Sequence, residues 1–224
     1  MKNAKVRVWV WLVASFAFIG LAVLVSAGTL NYWQAWAYLV VGAASCVPLI
    51  LRMMQDPVLL ESRTKAGPSA EQRPFQRVVV VLAGLPAIAS FIVPGLDHRF
   101  RWSGVQPWVC LVGELLIIVS MWMVYRVFRA NSFGSATVEV SEGQKVISTG
   151  PYAIVRNPMY SSAGVYFIGL SLALGSYWGL IPAFLTVLGL VVRLLDEEKF
   201  LASDLPGYRD YCAKVRWHLV PGVF

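Results

Sequence analysis

Charge is scarce in this chain. Only 14% of its 224 residues are Asp, Glu, Lys or Arg, against 58% hydrophobic residues and a mean hydropathy of +0.64. A soluble domain of this length needs far more polar surface, so the shortage rules out an ordinary soluble protein and leaves an integral membrane protein. Cysteine is scarce as well. Cys46, Cys110 and Cys212 show no CxxC spacing, which argues against both a disulfide framework and a thiolate zinc site. The two histidines, His98 and His218, are isolated in sequence from each other and from any carboxylate pair at metal-ligand spacing, and no metal is expected. Internal repeats and low-complexity segments are lacking too, so residues 1–224 read as a single membrane domain.

What the chain has instead is long apolar runs. They lie at about Trp9 to Ala27, Ala35 to Leu51, Val78 to Leu96, Pro107 to Phe128, Met159 to Leu174 and Trp178 to Leu195, each near the length that spans a bilayer. Only Gly175, Ser176 and Tyr177 separate the last two, which read as one helical hairpin that need not cross completely. The expected fold is therefore all-α, a polytopic helical membrane protein with five to six membrane helices that include this C-terminal hairpin. Lys2, Lys5 and Arg7 before the first run also suit a signal peptide, but the apolar core is too long and no convincing small-residue cleavage site precedes Tyr32. An uncleaved first span is the reading taken.

Basic residues set the expected orientation. If all six runs cross, the N-terminal group, Arg52 to Arg77, then Arg129, Lys145 and Arg156, and finally Lys199, Arg209, Lys214 and Arg216 share one side, while the other carries only Arg99 and Arg101. Both termini are expected in the cytoplasm. The net charge of +7 and pI near 9.5 fit orientation and contact with anionic membrane lipids, and no nucleic-acid partner is expected.

Two polar interruptions stand out. Residues Arg52 to Arg77 carry Asp56-Pro57, Gly67-Pro68 and Arg73-Pro74 and read as a turn-rich solvated linker, with room for a short interfacial helix around Val58 to Arg63. Residues Arg129 to Pro158 pass from Asn131-Ser-Phe-Gly134 through an alternating stretch, Thr137 to Ile147, that fits a short extended segment with the character of a lid. This stretch ends at the Gly150-Pro151 turn. Asn157-Pro158 then opens a helix with a cap residue and a proline in first position, so its free N–H groups can receive an anion. Arg156 adds a forked donor for a carboxylate or phosphate, and Tyr152 and Tyr160 add flat faces; equally, the arginine can snorkel and the tyrosines can form an interfacial belt. Further on, Arg193 and Glu197 share one helical face, with Asp196 beside them and Glu198 adjacent. They read either as an intrahelical ion pair or as an excess of acid available to a cationic ligand. Glu114, about two turns inside the fourth run, is an intramembrane carboxylate that suits either a functional role or a polar contact between helices, and the contact is the reading taken.

Gly150-Pro-Tyr152, Val155-Arg-Asn-Pro-Met-Tyr160, Arg193 with Glu197-Glu198, and Pro206-Gly-Tyr-Arg-Asp-Tyr211 with Val215 and Pro221 together resemble the isoprenylcysteine carboxyl methyltransferase and phospholipid methyltransferase superfamily. The resemblance covers roughly Arg129 to the C-terminus. It implies N-terminal membrane helices over 1–128 and a cofactor-binding catalytic region over 129–224, with S-adenosylmethionine bound on the cytosolic side by the loop and the C-terminal segment. It implies a lipophilic or small-molecule methyl acceptor, and a cofactor pocket lined by Gly150, Pro151, Tyr152, Arg156, Asn157, Tyr160, Glu197 and Glu198, with Ser132, Phe133 and Gly134 at its rim. Arg193 and Glu197 would be the catalytic pair. The family often has Arg-His-Pro where this chain has Arg156-Asn157-Pro158, and Asn cannot titrate near neutral pH. Such a site needs no base for a carboxylate or thiolate acceptor, whereas an amine must lose a proton. The competing readings are a nicotinamide-dependent membrane reductase related to sterol reductases and a non-catalytic membrane protein.

Overall fold

The computed structural model describes residues 2–64, 73–131 and 146–224. Among them the chain forms helices and turns and no strand. Each apolar run becomes a helix: α1 (Lys2–Ala27), α2 (Trp33–Gln55), α4 (Pro74–Phe100), α5 (Pro107–Ala130), α6 (Pro158–Ala173) and α7 (Leu180–Asp204). Four of them, counted as Val8–Ala27, Trp33–Gln55, Pro74–Phe100 and Pro107–Ala130, are long and apolar enough to cross a membrane. The expected hairpin is present as α6 and α7, which pack on one another across a tight turn at Leu174–Gly179. Two short helices complete the fold, α3 (Pro57–Thr64) and α8 (Tyr208–Lys214). The first is the short helix expected as the alternative around Val58 to Arg63, in place of the favoured solvated linker. Asp56 Oδ1 accepts the Leu59 N–H at 3.1 Å and its other oxygen holds Arg52 at 3.0 Å, so a capped helix forms with Pro57 in its first turn. The extended segment expected over residues 137–147 lies outside the described residues apart from Val146 and Ile147, which are irregular.

Small residues decide which helices approach. Lipid offers no hydrophobic drive between apolar helices, so close backbone packing must supply the contact energy. A Cβ on Gly113 of α5 would stand 2.7 Å from the Ala173 Cα of α6, and one on Gly169 only 3.0 Å from the Gly113 carbonyl. Gly189 of α7 is pressed against Ala83 of α4 in the same way, at 2.7 Å. The resulting pairs are α5 with α6, α4 with α7, and α1 with α4. Tyr32, Tyr38, Ile117, Leu170 and Leu174 fill the centre. The two central phenols are satisfied: Tyr38 shares a 2.6 Å hydrogen bond with Tyr166, and Tyr32 donates to the Leu174 carbonyl. Outward faces carry exposed Val10, Leu21, Val40, Leu82, Leu111 and Phe184, as a lipid-facing surface must.

One end of the bundle carries exposed Trp33, Trp36, Trp102, Trp108 and Trp178, an aromatic belt at the ends of α2, α4, α5 and α7. There Asp97 is buried and accepts hydrogen bonds from the Ser103 N–H and hydroxyl, both at 2.6 Å, and from the Ser176 hydroxyl. Three segments, the end of α4, the following loop and the α6–α7 turn, are thereby tied together.

Candidate functional site

At the opposite end, three stretches distant in sequence meet. A 3-10 turn at Gly150–Ala153 begins with Gly150 at φ +61°, a left-handed conformation that suits glycine. The chain then passes through Val155 and Arg156 to Asn157, where α6 starts. Its backbone pairs here with the C-terminal tail: the Arg156 N–H donates to the Trp217 carbonyl at 2.8 Å and the Asn157 N–H to the His218 carbonyl at 3.0 Å. The Ser161 hydroxyl donates to the Leu219 carbonyl at 2.7 Å. Tyr211 of α8 donates to the Tyr152 carbonyl at 2.7 Å, and Asn131 donates to the Tyr152 hydroxyl at 3.1 Å. The Tyr152 ring is packed between the end of α5 and α8.

Glu198 of α7 is the centre of this junction. It is buried, with Arg156 Nη1 at 3.2 Å, the Asn157 amide donating to one oxygen, and His218 Nδ1 at 2.9 Å. Arg156 spends its remaining nitrogens on the protein, Nε donating to the Val215 carbonyl at 2.7 Å and Nη2 to the Cys212 carbonyl at 3.0 Å. These carbonyls lie at the end of α8, where a cation is favoured by the helix dipole. The charge balance is thus more even than the local sequence suggests: Glu198, half of the apparent acidic excess, is met by an arginine from a distant loop.

Glu197 faces a second cluster. The Tyr160 hydroxyl of α6 donates to Glu197 at 2.6 Å and accepts from Arg193 Nε at 3.1 Å, so one phenol bridges a carboxylate and a guanidinium across the α6–α7 contact. All three side chains are partly exposed. Asp196 turns away to α4, where Arg73 pairs with it at 2.7 Å and the Gln76 amide also donates to it.

The phenols and the thiol of α8 around Glu198 are held neutral. Burial pushes the Tyr208 phenol well up, with the charge of Glu198 adding to the effect, and burial likewise raises Tyr211. The Cys212 thiol is also raised by burial, against the opposing pull of Arg156. Charge in the junction is therefore carried by carboxylates and guanidiniums alone, apart from His218.

Gly150, Pro151, Tyr152, Arg156, Asn157, Tyr160, Arg193, Glu197 and Glu198 are all brought to this end of the bundle. Ser132, Phe133 and Gly134 lie outside the described residues. Sequence reasoning missed His218 and Ser161. A histidine twenty residues from its carboxylate carries no local spacing signal, and only the pairing of the tail with the Arg156-Asn157 loop brings it in. Glu114, read as a helix contact, is buried with neither oxygen hydrogen-bonded. Among the described residues, no three His, Cys, Asp or Glu side chains gather as a metal ion would need.

Among curated proteins, none matches the chain. The family model for phospholipid methyltransferases matches residues 108–205, which contain α5, the loop, α6 and α7 with both glutamates. That match makes the segment similar to phospholipid methyltransferases over 98 of the 224 residues.

Proposed function

We propose that this protein transfers the methyl group of S-adenosylmethionine to a lipophilic or small acceptor at the cytoplasmic face of a membrane. The observation that supports this most is the meeting of the Gly150–Tyr160 loop with Arg193, Glu197 and Glu198 at one end of the segment that matches the family. The donor set fits such a cofactor. A carboxylate needs a guanidinium, an ammonium needs a carboxylate, and a sulfonium favours an aromatic face. Arg193, Glu197 and Tyr160 offer all three from one partly exposed cluster.

In this reading Arg193 takes the cofactor carboxylate or positions the acceptor, and Glu197 takes the ammonium. Arg156, Asn157 and Glu198 form the buried frame behind them, while Gly150, Pro151 and Tyr152 shape the wall. The cofactor supplies a methyl group already activated on a cationic sulfur. The chain's own task is to align the acceptor, keep water out and hold the charges that shift.

Calorimetric titration of the purified protein in detergent should show binding of S-adenosylmethionine and none of NADPH. The reverse result would favour the reductase reading, and no binding of either a non-catalytic one. Label transfer from methyl-labelled cofactor into extracted lipids and thiols identifies the acceptor. Sidedness is tested by single cysteines placed at Arg99 and Lys214: labelling of Lys214 from the outer face would sink a cytoplasmic site.

A further inference from the structure

We propose that His218 is a positioning residue of this site: it aims the Glu198 carboxylate, and its protonation state sets how well the site holds a cationic ligand. The inference rests on the methyltransferase reading above.

Geometry carries it. His218 Nδ1 lies 3.0 Å from one Glu198 oxygen and 2.9 Å from the other, astride the carboxylate. Arg156 reaches one oxygen and Asn157 the other, so the imidazole is the group that spans both and fixes the rotation of the carboxylate. For Nδ1 to donate, the proton of a neutral ring must sit there, which leaves the lone pair on Nε2. Nε2 makes no hydrogen bond among the described residues, and the side chain is 26% exposed. One face of the ring stacks on Phe224 with centroids 4.8 Å apart. A ring anchored at one nitrogen, packed on a face and open at the other nitrogen can take up a proton without moving.

The groups around it determine what that proton does. Glu198 faces it from α7 and Arg156 and Asn157 from the loop, while Tyr208 and Cys212 of α8 lie within electrostatic reach of Glu198. Both α8 groups are uncharged at neutral pH, so one carboxylate is balanced by one guanidinium. Protonating His218 adds one positive charge to this frame and weakens the hold of the neighbouring Glu197 cluster on a cationic ligand.

The test is calorimetry of the full chain with S-adenosylmethionine across about pH 5 to 8, in buffers of different ionisation heat. Wild-type affinity should fall about tenfold toward the acidic end, with proton release on binding there. His218→Gln keeps an N–H for Glu198 but cannot titrate. It should stay within about threefold of wild type at the basic end and lose both the fall and the linked proton. His218→Ala should bind about tenfold less tightly throughout. A wild-type pH profile in His218→Gln, or wild-type affinity in a folded His218→Ala protein, overturns the proposal. Absence of binding by the wild type at every pH instead sinks the methyltransferase reading, and the proposal with it.

Discussion

Asp97 and Glu198 are both buried carboxylates, one at each end of the bundle, and their donors differ in kind. Asp97 is met by neutral donors, the Ser103 N–H and hydroxyl and the Ser176 hydroxyl, all from turns at the aromatic belt. Glu198 is met by a guanidinium, an amide and an imidazole from two segments distant in sequence. A carboxylate satisfied by local hydroxyls is a staple whose worth is spent on the fold. One ringed by ionisable side chains from distant stretches keeps a charge balance that a ligand or a proton can tip.

The largest effect should come from Glu198→Ala. It strands Arg156, whose side chain is 14% exposed, beside the end of α8 without its counter-charge. Breaking a buried pair in this way costs roughly 3 to 5 kcal/mol, so thermal unfolding in detergent should drop steeply and cofactor binding should vanish. Asp97→Ala should cost less, about 2 to 3 kcal/mol for serine donors left unpaired, and should leave S-adenosylmethionine affinity unchanged. An equal loss of affinity in both variants would erase the distinction between staple and site.

Arg156→Lys sharpens the same comparison. An ammonium can reach Glu198 or the α8 carbonyls but cannot fork to both, so the tail should loosen while the net charge is kept. Cofactor affinity should fall about tenfold, and Trp217 fluorescence should shift as the tail detaches. Unchanged affinity would confine Arg156 to an anchoring role. The smallest effect belongs to Glu114→Gln. With neither carboxylate oxygen bonded, the substitution should be neutral or raise stability by up to about 1 kcal/mol, with no change in binding. A large destabilisation there would reveal a partner for Glu114 that the fold does not display.

Hydropathy made most of the fold legible, because each run from Trp9 to Leu195 maps onto a helix within a few residues at most ends. α7 is the largest exception. It continues to Asp204 through Asp196, Glu197, Glu198 and Lys199, where hydropathy falls silent although helical hydrogen bonding does not. α3 was legible only as an alternative to a solvated linker, around Val58 to Arg63, since eight residues are too few for a periodic signal. Of the site, the loop and the two glutamates were visible as local patterns at the ends of apolar segments. Their division of labour was not. Glu197 and Glu198 are neighbours in sequence but face different partners, Tyr160 and Arg156, because successive helical positions turn by about a hundred degrees.

α6 has 16 residues and is therefore about 24 Å long, short of the roughly 30 Å hydrocarbon thickness of a bilayer. Its C-terminal end is fastened beside the aromatic belt through Ser176 and Asp97, and its close seating on α5 at Gly113 and Gly169 prevents it from sliding. Measured from the belt, the end where Asn157 and Tyr160 sit thus falls about 6 Å short of a layer of that thickness. Under the proposed methyltransferase reading, a site recessed in this way would let a lipophilic acceptor arrive by two-dimensional diffusion without being lifted out into water.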